Sequence, residues 1–165
     1  MENITKFKKI SFSQYKKDLE KNNIDTINSY EDIKLPKRAT KGSAGYDFYL
    51  PYDINLKPNE TILIPTGIRC KMNPNYVLMI FPRSSLGFKY RLMLDNTVGI
   101  IDSDYYNALN EGHIMIKVTN NSLDNKTLEL KKGDAFAQGI FMIYGITCDD
   151  DANEIRTGGF GSTNK

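Results

Sequence analysis

Cysteine is scarce in this 165-residue chain: Cys70 and Cys148 lie far apart with no pairing pattern, so neither a disulfide framework nor a zinc cluster has enough ligands. Charge of one sign is scarce too. Lysine and arginine total 22 against 20 aspartates and glutamates, a formal net charge of +2. No concentrated basic face or nucleic-acid-binding module stands out, so no nucleic-acid partner is expected. No apolar run approaches membrane-spanning length and no signal-peptide pattern opens the chain. The expectation is therefore a cytoplasmic protein in a reducing compartment, without membrane association. Internal repeats are missing, and so is any linker that would split off a second domain.

What is present is enough apolar and aromatic residue for a core. Apolar types make up 40% of the chain, with 10 tyrosines and 8 phenylalanines, which is a folded rather than a disordered composition. Residues 1–35 read as an N-terminal extension with a short strand and a helix. Ser11 and Gln14 fit a capping box, and Phe12, Tyr15 and Leu19 recur at helical spacing, so the helix is expected over about 12 to 20. Residues 36–148 have the texture of strands and turns. In "ETILIPTGIRCKM" Ile62, Ile64, Ile68, Cys70 and Met72 alternate with polar or outward positions, as in a half-buried strand bent at Pro65–Thr66–Gly67. Tyr76–Phe81 is a continuous apolar run, the pattern of a strand buried on both faces in a sandwich or an oligomer interface. "HIMIKVTN", "KTLELKKGD" and "FAQGIFMIYG" supply further short strands between Asn, Gly and Asp turns. These features predict an all-β fold, an antiparallel barrel or jelly-roll.

Five stretches combine turn residues with polar groups a core cannot use: "GSAGYDF", "FPRSSLG", "DNTVGIIDSDYYN", "KKGDAFAQ" and the terminal "RTGGFGSTNK". Read singly, each has an ordinary explanation as a turn, a rim ion pair, a cap or a frayed end. Their chemistry is complementary. A guanidinium and hydroxyls just beyond a rigid strand suit polyphosphate oxygens, and a water attacking phosphorus needs a carboxylate base. So few carboxylates suit a magnesium ion held largely by substrate phosphates.

Together these stretches resemble the homotrimeric dUTPases, the dUTP diphosphatases, whose motifs they match in order from Ala44 to Thr163. The matches are Ala44–Asp47, Pro82–Ser85, Asn96 with Gly99–Tyr105, Lys132 and Gly133 with Ala137 and Gln138, and Arg156 with Gly158–Thr163. The resemblance implies a jelly-roll or β-clip protomer in a homotrimer with shared active sites, hydrolysing dUTP to dUMP and pyrophosphate with Mg2+. By the same resemblance Asp102 activates the attacking water, Asn96 helps to read uracil in a hairpin from Leu94 to Tyr105, and the Tyr105 ring sits under the deoxyribose. Arg83, Ser84, Ser85 and Gln138 hold phosphates, and Arg156, Ser162 and Thr163 reach the terminal phosphate. Phe160 covers the base, and Asp47 supports the metal-bound phosphates through water. Residues 149–165 become a mobile C-terminal arm closing an active site.

Several positions depart from the family pattern. Arg156 stands four residues before Phe160, one closer than usual, and Asn164 replaces a glycine. Asp95 occupies a common glycine position, so its charge must point away from the triphosphate or be screened. "YNALNEG" lengthens the loop after Tyr105, and the stretch before Ala44 is longer than a minimal member needs. Either addition could engage a regulatory partner. The enzymatic rival is a dCTP deaminase, alone or bifunctional, of the same fold. It needs a general acid–base glutamate and an early extra arginine, and "PRSSLGFKYRLML" supplies neither. A third reading keeps the scaffold as a regulatory interaction protein.

Overall fold

The computed structural model describes residues 5–25, 29–156 and 158. The N-terminal half runs β1 (Thr5–Lys9), α1 (Phe12–Lys21), β2 (Lys37–Arg38), β3 (Tyr46–Tyr49), β4 (Ile54–Leu56), β5 (Thr61–Pro65), β6 (Ile68–Met72) and β7 (Tyr76–Pro82). There follow α2 (Ser84–Tyr90), β8 (Leu92–Leu94), β9 (Gly99–Ile101), a short 3-10 helix Ser103–Asn107, β10 (Met115–Asn120), β11 (Leu128–Leu130) and β12 (Ala135–Ile143).

The helix expected near residues 12 to 20 forms, for the expected reason. Ser11 caps it, its Oγ accepting from Gln14 N at 3.2 Å, and Tyr15 and Leu19 are buried. The Gln14 side chain does not complete the capping box; it donates to Asp18 Oδ1 at 3.0 Å. Glu111, far along the chain, takes its place by accepting from Ser11 N at 2.9 Å. Phe7, Ile10, Tyr15, Leu19 and Ile33 belong to the main hydrophobic cluster, so the N-terminal segment contributes to the core.

The alternation in Thr61–Met72 holds in burial from Ile64 onward, since Ile64, Ile68, Cys70 and Met72 are buried, whereas Ile62 and Leu63 at the strand's start are both half-buried. The backbone does something the pattern did not announce. At the expected bend, Thr66 Oγ1 donates to Ile114 O at 2.6 Å and accepts from Ile68 N at 3.1 Å, and the two strands part company. β5 pairs with β10, whereas β6 pairs with β1.

That divergence corrects the expected all-β barrel. Every strand pairing is antiparallel as anticipated. The described strands nevertheless form four separate open sheets, β1-β6, β5-β10-β8, β11-β4 and β2-β3-β12-β7-β9, and two helices accompany them. The fold is mixed α/β rather than a closed jelly-roll or β-clip barrel. The second helix escaped the sequence because "SSLGFKY" buries only Leu86 and so carries no helical apolar stripe. It ends at Arg91, which adopts the left-handed conformation with φ of 48°, a usual way to terminate a helix.

β7 is an inner strand of the five-stranded sheet, between β12 and the edge strand β9. Leu78 and Ile80 are buried, while Val77, Met79 and Phe81 on its other face are only half-buried. The expectation of burial on both faces is thus met on one face within a single chain.

The joint between α1 and the lengthened loop makes stability sensitive to acid. Burial pushes the Asp18 carboxyl up, but hydrogen bonds from His113 and Gln14 outweigh it and leave its pKa below the usual value. Burial also pushes Glu111 up, and the Ser11 donors with Arg69 nearby bring it below its usual value. A depressed folded-state pKa gives stability that is fully present above the unfolded-state values of about 4 and is lost as pH falls through the folded values. Thermal melting from about pH 6 to pH 3 should therefore be flat until about pH 4 to 5 and then decline. Glu111→Gln should show a shallower decline; identical curves would show that this joint does not carry the dependence.

Candidate active site

The residues singled out from the sequence fall into two groups at opposite ends of β7. At its C-terminal end, Asp47 of β3 stands opposite Gln138 of β12, and Gln138 opposite Phe81 of β7. Arg83 follows the strand and places Nε 3.3 Å from Asp47 Oδ1. Gln138 Nε2 donates to Pro82 O at 3.3 Å. Gly45 lets the Gln138 amide pack close against the backbone: a Cβ there would lie 2.5 Å from Gln138 Oε1, so any side chain at 45 would push that amide aside. Ser84 and Ser85 open α2 and are exposed. Guanidinium, amide and hydroxyl groups thus share one rim, a set suited to an anionic ligand.

The second group follows β9. Arg156 bridges two carboxylates, with one terminal guanidinium nitrogen 2.5 Å from Asp102 Oδ2 and Nε 2.8 Å from Asp104 Oδ1. Its other terminal nitrogen donates to Gly158 O at 3.5 Å. Asp102 Oδ1 makes no hydrogen bond among the described residues, so one oxygen of a half-exposed carboxylate remains free to take a proton. Tyr105 is buried, its hydroxyl donating to His113 O and accepting from Asn110 Nδ2, each at 2.8 Å. Burial raises its pKa, and the Asn110 hydrogen bond opposes the shift.

Asn96 occupies the turn between β8 and β9, where Thr97 takes a φ of 62° and Thr97 N donates to Leu94 O at 2.9 Å. The expected hairpin is divided between sheets, since β8 pairs with β10 and β9 with β7. Asp95 is occupied as its position demanded: it lies 3.2 Å from Lys117 Nζ and accepts from Thr119 Oγ1 at 2.6 Å. Phe160, Ser162 and Thr163 lie outside the described residues.

Register separates the two groups. β9 runs antiparallel to β7 with Ile101 opposite Leu78, so Asp102 leaves the sheet beside Val77. Arg83 stands six residues further along, about 20 Å at the rise of an extended chain. One chain does not bring the anion-holding rim to its own Asp102.

A family model described as dUTPase matches residues 31–164. The chain belongs to the dUTPase family. It is 41% identical over 145 residues to the deoxyuridine 5'-triphosphate nucleotidohydrolase of Lactococcus lactis subsp. lactis (strain IL1403), with 84% of this chain and 95% of that protein covered. It is 38% identical over 143 residues to the enzyme of the same description from Escherichia coli O45:K1, covering 82% of this chain and 90% of that one. The crystal structure of dUTPase from Streptococcus mutans superposes with a TM-score of 0.64 at 33% identity, covering 86% of this chain and 97% of that chain.

The match begins after β1 and α1, and those elements reach back to the loop that departs from the dUTPase pattern. Asp18 Oδ2 lies 2.6 Å from His113 Nδ1, and Ser11 Oγ donates to Glu111 Oε1 at 2.5 Å. Arg69 lies 3.7 Å over the Tyr106 ring and 3.8 Å from Glu111. None of Asp18, His113, Glu111 or Arg69 was singled out from the sequence. The available signal was slight: His113 is the chain's single histidine, and it closes the lengthened loop.

Among the described residues, no three or more His, Cys, Asp or Glu side chains converge as a metal site. Asp47 is the carboxylate of the anion-holding rim, and Arg83 already pairs with it. Such a donor set does not cage an ion by itself. It suits magnesium that arrives on phosphate oxygens and keeps most of its waters.

Proposed function

We infer that this dUTPase hydrolyses dUTP to dUMP and pyrophosphate with Asp102 as the general base. The observation that carries the reading is the family match across residues 31–164, which spans both groups described above. Water forms a bond to the α-phosphorus as its proton passes to Asp102, and the bond to the bridging oxygen breaks, releasing pyrophosphate. The free Oδ1 of Asp102 is the oxygen available for that proton, since Oδ2 faces Arg156. Magnesium, when bound with the nucleotide, neutralises phosphate charge and makes pyrophosphate a better leaving group. Asp47 supports that region through water.

Arg83, Ser84, Ser85 and Gln138 hold phosphates, Asn96 contributes to the uracil edge, and Tyr105 lies against the deoxyribose. Arg156 leaves the carboxylate pair for the terminal phosphate as the nucleotide binds, joined there by Ser162 and Thr163, while Phe160 covers the base. Residues 149–165 act as the closing arm.

The separation along β7 supports a site shared between chains, because a triphosphate is far shorter than the gap from Asp102 to Arg83. The open face of the same sheet supports it as well. Met79 stands directly between Ile140 and Ile100, and Val77, Phe81 and Met142 extend this half-buried or exposed apolar row. Another copy covering that face would bury it, and a homotrimer is the arrangement we propose. An added role in binding a regulatory protein would fall to the tip of the loop after Tyr105, where Leu109 is 85% exposed.

The test of activity is incubation with a panel of nucleoside triphosphates and magnesium. dUTP should yield dUMP and pyrophosphate, with far slower action on dTTP, dCTP and UTP and suppression by a chelator. Ammonia released from dCTP would overturn the reading in favour of a deaminase. Sharing has its own test: Asp102→Asn and Arg83→Ala chains, each inactive alone, should regain activity when co-expressed, with about a quarter of sites intact in random assemblies. No recovery in mixed assemblies of confirmed composition would place both residues in one chain's site.

A further inference from the structure

His113 is fully buried, and both of its ring nitrogens are engaged. Its Nε2 accepts from Gly67 N at 2.9 Å, so that nitrogen carries no proton. The ring proton therefore sits on Nδ1 and points at Asp18 Oδ2, 2.6 Å away. Asp18 is itself buried in α1 and held by Gln14. A neutral imidazole is thus fixed in one tautomer by a carboxylate from the N-terminal helix, through a charge-assisted hydrogen bond out of water.

The other end of His113 leads toward the proposed nucleotide site. Its carbonyl accepts from the Tyr105 hydroxyl at 2.8 Å. Between the two, the loop folds back onto Tyr105. Gly112 has a φ of 69°, and a Cβ there would fall 2.5 Å from Tyr105 O and 2.8 Å from Tyr106 Cα. A second strut runs beside the first, with Ser11 N and Oγ both donating to Glu111. Asp18, His113 and Ser11 touch none of the residues assigned to phosphate or base.

We propose that α1 is a positioning element for the Asp102–Tyr105 segment, with Asp18 acting through His113 to set the Tyr105 ring and hence the rejection of ribonucleotides. This rests on the proposed function, in which Tyr105 lies against the deoxyribose. A sugar carrying a 2′-hydroxyl is excluded only while that ring keeps its place. Tyr105 is three residues from Asp102, joined to it through a single turn of 3-10 helix, so play in the ring also shifts the base. Small displacements of this kind are costly in rate.

The experiment compares kcat/KM for dUTP and for UTP in the full-length protein and in Asp18→Asn, with melting curves alongside. The variant should lose about tenfold in kcat/KM for dUTP while UTP is cleaved as well as before or better, so that the dUTP-to-UTP ratio falls. A merely structural role would lower Tm and reduce both rates in proportion, leaving the ratio intact. Ser11→Ala combined with Glu111→Gln loosens the second strut at a partly exposed rim and should lower the ratio by about threefold. It carries the test if Asp18→Asn does not fold. An unchanged ratio in folded variants overturns the proposal. A parent protein that does not prefer dUTP over UTP would instead overturn the functional reading beneath it.

Discussion

Replacing Asp102 with Asn should lower turnover on dUTP by a factor of about a hundred or more, while nucleotide binding survives. The substitution keeps the shape of the side chain, and its carbonyl oxygen can still face Arg156, which donates to Oδ2 at 2.5 Å. What it removes is the capacity of the other oxygen to take a proton from water. Loss of an interaction that matters in the transition state alone appears in kcat more than in the dissociation constant. Steady-state turnover measured beside calorimetric binding of a non-hydrolysable dUTP analogue separates the two. Asp104→Asn is the control, because Asp104 also meets Arg156, through Nε at 2.8 Å. Near-normal turnover by Asp102→Asn together with an inactive Asp104→Asn would transfer the base to Asp104.

Removing residues 158 to 165 should abolish most activity, by about a hundredfold or more, and leave the folded body nearly untouched. The preceding segment has little hold on that body: residues 149–155 are all exposed, Ile155 among them, and Arg156 is attached through Asp102 and Asp104. Exposed chain of this kind contributes little to stability, so Tm should change by no more than about 2 °C. The removed residues include Phe160, Ser162 and Thr163, proposed to cover the base and hold the terminal phosphate. Without them the nucleotide is less well positioned for the attacking water. Turnover on dUTP and the melting curve of the truncated chain decide the matter together. Full activity would remove the tail from the mechanism, and a large loss of Tm would make it part of the folded body.

The sequence by itself determined the family, because the motifs from Ala44 to Thr163 are short local patterns whose order survives any arrangement of the chain. It determined α1 as well: Ser11 as cap and Tyr15 and Leu19 one turn apart are signals confined to a few neighbouring residues. Alternation likewise placed Ile64, Ile68, Cys70 and Met72 inside, since a strand's side chains change face at every step. The same alternation could not say which partner each strand would take. Thr66 divides Thr61–Met72 between two sheets by bonding to Ile114, 48 residues away, and with that division the barrel becomes open sheets. Register on β7 then sets Asp102 and Arg83 at opposite ends, a distance no motif encodes. The Asp18–His113 contact spans 95 positions and exists because core packing brings α1 against the loop. Local propensity and periodicity reach only a few residues along the chain, whereas strand pairing and the burial of polar partners are settled by which distant surfaces exclude water together.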